Sequence, residues 1–418
     1  MVAPKLRFKE FDANWSLSSL GKMTTYFKGY AFKSESYKDS GIRVIRVSDL
    51  GRESIKTDND SIYIEANNAS AYENWIIKKD DIIITTVGSK PHLVDSAVGR
   101  PIYVKNNNEG LLNQNLLVLR PMDKTVDSYF IYAQLLDKKY LTHIELIQRG
   151  NANQSNITVK DLQDYETYIT SKKEQTKIAS FLSAVDEKIS QLTQKHELLR
   201  QYKQGMMQKL FSQQLRFKAD DGSEFGEWVE AKFGDIASKV GSGSTPRGGA
   251  EAYTMDGIIF IRSQNVNNDQ LLLSDVVYIP EEIHKKMSGS KVIANDILLN
   301  ITGASIGRSC VVPQTFTEAN VNQHVCIIRT PNDNPRFIQS FLSSKAGQDL
   351  IDSHQTGSGR EGLNFQSIRS FIFQRPCLEE QTKIANFLSA IDQKIEVVAQ
   401  QIEQAKTWKK GLLQQMFV

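Results

Sequence analysis

EQTKIASFLSAVDEKI, residues 174–189, returns almost unchanged as EQTKIANFLSAIDQKI at residues 380–395, 206 positions later in a chain of 418. Aligned without gaps, residues 174–212 and 380–418 agree at about half of their positions. The offset is far longer than a solenoid period of about 20–50 residues. It implies two copies of one large unit, each ending in the same helix.

Both copies carry a heptad seam. Ile178, Leu182, Val185, Ile189, Leu192 and Leu199 follow steps of four and three, as do Ile384, Leu388, Ile391, Ile395, Val398 and Ile402. Such alternation keeps one stripe against a partner helix. Residues 178–210 would make about 50 Å of helix. The first helix leads into the second globular half, and the second begins where that half ends. If they pair, they run antiparallel, with the halves at opposite ends of a rod and related by an approximate twofold. The alternative, each helix packed on its own half, stays open. Lys203, Lys409 and His196 on the seam read as register or end effects. Gly205 and Gly411 read as a bend or a close helix approach.

Composition adds bounds. With 40% hydrophobic and 24% charged residues, the chain has the make-up of an ordinary globular protein. Cys310, Cys326 and Cys377 lack metal or disulfide spacing. The start, MVAPKLRFKEF, has no apolar signal core, and no 18-residue apolar run exists. A cytoplasmic protein with no membrane partner is expected. Residues 1–173 hold 24 Lys+Arg against 21 Asp+Glu, and residues 218–379 hold 15 against 19. Neither half has the global basic footprint of a lone DNA binder, so nucleic-acid contact would come from local patches or with a partner's help.

The duplication continues faintly outside the helices. Leu6-Arg7-Phe8-Lys9 recurs as Leu215-Arg216-Phe217-Lys218, Asp80-Asp81 as Asn295-Asp296, Ile45-Arg46 as Ile261-Arg262, and Asn113-Gln114 as Asn322-Gln323. Strands are predicted near 42–47, 82–86, 97–104 and 115–120, then near 258–262, 296–301, 307–312 and 324–329. Helical blocks follow near 126–148 and 335–352. The pattern suggests a mixed α/β module, made twice with unlike loops.

No catalytic motif emerges. GSGSTPRGG at 241–249 lacks the Gly-Lys-Ser/Thr ending of a phosphate loop, and the histidines show no metal spacing. Asn334-Pro335-Arg336-Phe337 has arginine where an amino-methyltransferase signature has its second proline, and reads as a turn opening a helix.

Two variable modules, each followed by an E-Q-x-K-I-A-x-F-L helix, resemble the specificity subunit of type I restriction–modification enzymes. GSTP followed by IRSQNV, and ITGASIGR, resemble those subunits' second modules. The first module has FKGYAFKSESY in place of the GSTP run. The resemblance implies an α+β fold: two mixed α/β target-recognition domains related by pseudo-twofold symmetry and joined by two long antiparallel coiled-coil helices. The implied boundaries are 1–173 and 215–379 for the recognition domains, and 174–214 and 380–418 for the spacer helices. It implies a chain that does no chemistry and reads a bipartite, asymmetric double-stranded DNA site, one module per half-site. Two methyltransferase subunits would dock on the paired helices and translocase/nuclease subunits could join. This chain would bind no cofactor, with S-adenosylmethionine held by the methyltransferase partner. The helix length would span at most about 14 base pairs. The competing reading is a coiled-coil assembly scaffold whose modules bind protein or carbohydrate.

Base reading needs hydrogen-bonding side chains on loops, and phosphate anchoring needs cations and backbone amides. The candidates in the first module are Lys28, Tyr30, Lys33, Arg46, Ser48, Lys90, His92, Arg100, Arg149, Asn153 and Gln154. In the second they are Ser242, Ser244, Thr245, Arg247, Arg262, Gln264, Ser305, Arg308, Arg360 and Asn364. Arg46, Arg262, Asn113 and Asn322 match between unlike modules and so read more readily as shared framework.

Overall fold

The computed structural model describes residues 2–57, 59–92, 97–151, 154–267, 269–355 and 362–418. Two compact units emerge: residues 1–193 with 400–418, and residues 194–399. Each holds one α/β module together with the beginning of one long helix and the end of the other.

The first long helix runs Lys172–Phe211 and the second Leu378–Met416, unbroken by proline. In the first unit, Ile178, Leu182 and Val185 share a core with Leu412, Leu413, Met416 and Phe417. In the second unit, Met207 and Leu210 share a core with Ile384, Leu388 and Ile391. The start of each helix therefore packs with the end of the other, which makes them antiparallel. Both also enter the core of a module: Phe417 contacts Trp15 and Phe130, and Phe211 contacts Phe337 and Phe341. Packing on the partner helix and packing on a module thus occur together. Full burial of such side chains stabilises by about 1.5–3 kcal/mol each.

The seam lysines have defined partners. Lys203 Nζ lies 2.7 Å from Asp392 and 2.8 Å from Asp269, and Lys409 Nζ lies 2.5 Å from Asp186. Asp186 and Asp392 are repeat equivalents, as are Lys203 and Lys409. A lysine this buried has to be paired. Burial lowers the Lys203 pKa, but Asp269 and Asp392 outweigh it and the net shift is upward. Gly205 and Gly411 show no close approach. A Cβ built at either would meet nothing within 4 Å among the described residues, so the close approach expected from the sequence does not occur.

Each module is built in three layers. Its central sheet of four strands, in spatial order, is Thr24–Lys28, Leu116–Pro121, Ile82–Thr85 and Pro101–Tyr103 in the first unit. In the second it is Lys239–Ser242, Val325–Arg329, Ile297–Asn300 and Ser309–Val311. Strand residues alternate faces. Ile82, Ile84, Leu117 and Leu119 face the helices, while Ile83, Leu116 and Val118 face a smaller sheet that includes Ile42–Ile45 and Leu111–Leu112. Ile297, Leu299 and Ile328, against Leu298, Val325 and Ile327, repeat the division. Buried Asp81 and Asp296 each pin the far end of the sheet through an arginine, Arg120 and Arg329, at 2.6 Å.

Each helical block divides in two, at Ser128–Gln134 and Lys138–Ile147, and at Pro335–Ser343 and Lys345–Ser353. Asp137 and Ser344 restart the helix as N-caps. Asn334 caps the turn that opens Pro335–Ser343, its Oδ1 accepting from Arg336 N and Phe337 N. The segment predicted as strand at 97–104 is a turn followed by the short strand Pro101–Tyr103.

The repeated E-Q-T-K run clamps helix to module. Glu174 accepts from Arg7 Nε at 2.7 Å and Nη2 at 2.8 Å; Glu380 accepts from Arg216 Nε at 3.1 Å and Nη2 at 2.8 Å. The Gln175 and Gln381 carboxamides accept from the backbone N–H groups of Asp127 and Asn334, both at 2.9 Å. Lys177 pairs with Glu10, and Lys383 with Asp220. Phe181 packs on Phe8, and Phe387 on Phe217.

Replacing Glu380 with Gln should destabilise the protein by about 3–5 kcal/mol, since it breaks a buried pair from one side; thermal unfolding measures it. Glu174→Gln should behave alike, with a pH signature. Burial raises the Glu174 pKa, but the Arg7 and Thr170 hydrogen bonds outweigh it and hold the carboxyl below its usual range. The stabilisation is full above the unfolded pKa of about 4.3 and is lost as pH falls through the folded value. The gap between wild type and E174Q should therefore close in acid. Lys203→Ala should cost about 1.5–3 kcal/mol by removing the charged donor that Asp269 and Asp392 share, a loss that chemical denaturation would record.

Candidate nucleic-acid interface

Helices cover one face of each central sheet and the smaller sheet covers the other, so the sheet itself is open only at the ends of its strands. At one end the loops 29–33, 86–92 and 113–115 meet in the first module, and 243–247, 301–306 and 322–324 in the second. The centre is a clamped turn. Asn113 N and Asn322 N donate to Ile45 O and Ile261 O, each at 3.0 Å. On the other flank Thr86 N donates to Asn115 O at 2.9 Å, and Ile301 N to His324 O at 3.0 Å. Gly29 and Gly243 close the clamp. A Cβ there would fall 1.9 Å from Asn113 O and 1.6 Å from Val321 O, so only glycine lets the backbones approach. FKGYAF and GSGSTP thus share a glycine framework under different side chains.

In the first module, Lys28 and Lys33 are exposed on either side of that glycine. Tyr30 joins an aromatic cluster, its ring centroid 4.7 Å from Trp75, 5.0 Å from Phe32 and 5.1 Å from Tyr72. The strand Val87–Gly88 pairs with Gln154–Asn156, which pairs with Arg149–Asn151. That ladder brings exposed Gln154 beside the loop carrying half-buried Lys90 and exposed His92. Arg149 is ion-paired with Asp161 at 3.1 Å. Arg100 is half-buried in the turn after Ala97. Ser48 is exposed on the turn Val47–Asp49. Asn153 lies outside the described residues.

In the second module the same end is polar. Thr245 Oγ1 donates to Gln323 Oε1 at 2.5 Å, Gln323 Nε2 lies 3.0 Å from His324 Nε2, and His324 Nδ1 lies 2.6 Å from Thr302 Oγ1. Ser244, Arg247 and Arg308 are exposed; Ser242 and Ser305 are half-buried. No ion pair among the described residues engages Lys28, Lys33, Arg247 or Arg308. Arg360 lies outside the described residues.

Other candidates are tied into the frame. Arg46 contacts the buried Asp49 carboxylate, its Nε at 3.0 Å, and Arg262 donates to Asp275 O at 3.3 Å. The backbone N–H groups of both arginines are taken by Asp49 and Asn265. Gln264 donates to Asp275, and Asn364 caps the helix Phe365–Ser370 through Ser367 N at 2.7 Å. Gln114, Gln323, His324 and Thr302 are not among the site candidates that the sequence offers, yet they sit at the centre of the loop end. The recurrence of Asn-Gln in both halves, which reads from the sequence as shared framework, is the signal that could have found them. Among the described residues no group of three His, Cys, Asp or Glu could hold a metal ion, and no helix is long and apolar enough to cross a membrane.

Comparison with known proteins gives a consistent result. The model of the type I restriction modification DNA specificity domain matches twice, at residues 13–201 and 226–407. The type I restriction enzyme EcoBI specificity subunit of Escherichia coli is 25% identical over 96% of this chain and 84% of its own. A crystal structure of a type I restriction–modification S subunit from M. genitalium superposes with a TM-score of 0.63 at 18% identity, covering 100% of this chain and 99% of that one. A structure from work on complex assembly and conformational transition of the type I system superposes at 0.54 with 14% identity, covering 96% of each chain.

Gly29→Ala and Gly243→Ala should each cost at least about 1–3 kcal/mol, as overpacking against backbone does, and should unsettle the loop end they close. Gly241→Ala, where a Cβ meets nothing within 4 Å, is the control. Thermal unfolding and amide exchange, at residues 113–115 for Gly29→Ala and at 322–324 for Gly243→Ala and the control, would separate them.

Proposed function

The chain belongs to the type I restriction–modification DNA specificity family, and from that premise we propose that it reads a bipartite, asymmetric DNA site with one module per half-site. The observation that carries the proposal is a single α/β frame made twice in which the loop-end side chains differ. The glycine clamp, the Asn turn and the buried Asp–Arg pair recur, while an aromatic cluster in one module is replaced by a hydroxyl–amide–imidazole chain in the other. Two copies of one frame with unlike tips suit two unlike half-sites.

The exposed cations Lys28, Lys33, Arg247 and Arg308 are assigned to phosphates, supported by Lys90, His92 and Arg149. Tyr30, Ser48, Gln154 and Ser244 are assigned to base edges and sugars, while Thr245 is held on Gln323. Arg46, Arg262 and Asn364, held by the frame, position loops. The chain itself is taken to be non-catalytic. Two methyltransferase subunits, with S-adenosylmethionine bound in them, would dock on the long helices and act on adenine, and translocase/nuclease subunits could complete a restriction complex. Near-neutral modules fit this division, since shared phosphate contacts relieve one chain of supplying all the charge.

The test is a chimera. With residues 218–375 exchanged for the second module of a relative of different specificity, mapping methylated adenines in a host carrying the chimera and its methyltransferase should show one half-site changed and the other kept. A change in both halves would overturn the assignment of one module to each.

A further inference from the structure

The turns Asn113-Gln114-Asn115 and Asn322-Gln323-His324 contain one residue that the fold does not explain. Asn113 and Asn322 donate their backbone N–H groups to the neighbouring sheet, and the third residue of each turn accepts from the flanking loop. Gln114 and Gln323 are exposed at the tip between them. A turn tip calls for Gly, Asn, Asp or Ser rather than Gln. Yet Gln stands there twice, although Tyr30 and Ser244, Ala31 and Thr245, and Asn115 and His324 all differ between the modules. A side chain kept in two unlike readers, with no place in their common frame, answers to something that both half-sites share.

The chemistry of the group narrows what that is. A carboxamide offers two lone pairs and two N–H donors. In the second module one lone pair is taken by Thr245 Oγ1 at 2.5 Å and one N–H by His324 Nε2 at 3.0 Å, with His324 held by Thr302. One acceptor and one donor remain, on an amide that its partners have already oriented. An adenine in the major groove presents the complement, its N6 amino donor beside its N7 acceptor. Because the turn is clamped on both flanks, little ordering cost is left for binding.

Resting on the DNA-reading function proposed above, we infer that Gln114 and Gln323 each read one adenine, in the half-sites of the first and second module respectively. Thr245 acts as a positioning residue for Gln323.

The test uses the full chain in complex with its methyltransferase subunits, titrated onto duplexes carrying the mapped site. Each adenine is replaced in turn by 7-deazaadenine, which puts C–H in place of N7. In each half-site one such replacement should weaken wild-type binding about tenfold to a hundredfold. Gln323→Ala should abolish that penalty in the half-site assigned to the second module and keep it in the other; Gln114→Ala should do the reverse. Thr245→Val should shrink the Gln323-dependent penalty without lowering the melting temperature. The inference is overturned if the penalties persist in the glutamine variants. It is equally overturned if these variants weaken binding to every duplex alike, whatever its sequence, the mark of a backbone contact. A wild-type complex with no sequence preference would instead overturn the reading function itself, so the two failures are distinct.

Discussion

A buried carboxylate at the start of each long helix, clasped by an arginine from the segment ahead of each module, is the constraint on which the rest of the structure depends. Glu174 is 1% exposed and Glu380 is 0% exposed. Each lies against a guanidinium, and removing one partner of such a pair costs far more than the pair itself contributes. The clasp ties helix, leading segment and module into one body. Around it, Gln175 and Gln381 tie off the backbone that opens a helix of the module, Ser128–Gln134 and Pro335–Ser343 respectively, and Phe181 and Phe387 extend the apolar contact. The most repeated run of the chain is therefore an attachment device as well as half of a helix pair. Its residues recur because both modules are joined in the same way.

That attachment decides what surface is left for recognition. Each central sheet is covered on one face by helices, including the two long ones, and on the other by the smaller sheet. Only strand ends remain, and one end is tied by the Asp81–Arg120 and Asp296–Arg329 pairs. The opposite end carries the glycine clamp and most of the loops that differ between the modules. A rigid frame with variable tips lets side chains change without disturbing the core, which is what loop-borne recognition requires.

The helices and central strands were legible because their signals are local. The four-three seam and the apolar runs IIIT and ILLN announce themselves within a few residues. The antiparallel pairing also followed from chain order alone. What escaped depends on partners far along the chain. Ser16–Ser19 pairs with Glu166–Ile169, and Val229–Lys232 with Ile372–Arg375, yet none of these stretches has a distinctive apolar pattern. Gly205 and Gly411 drew attention for standing in helices, where nothing approaches them. The glycines that matter, Gly29 and Gly243, owe their necessity to carbonyls on distant strands. Residue type does not separate Arg46, held by Asp49, from Arg308, which is not held in this way; only the match of Arg46 with Arg262 sets it apart in the sequence.

The seam lysines show how charge can choose the direction of a helix pair built from two copies of one sequence. Identical seams can pack parallel or antiparallel, and apolar contacts alone discriminate weakly between the two. In a parallel, in-register pair, equivalent seam positions would meet, setting Lys203 against Lys409 in a partly buried seam. Reversing one helix instead pairs Lys203 with Asp392 and Lys409 with Asp186. The two lysines then change from facing a like charge to facing an opposite one, as polar seam residues do when they specify orientation at some cost in stability. Asp269 adds a third member in the second unit alone, so the two ends of the pair are alike in origin but not in strength. The direction that chain connectivity suggests is thus also the direction that the seam's charges favour.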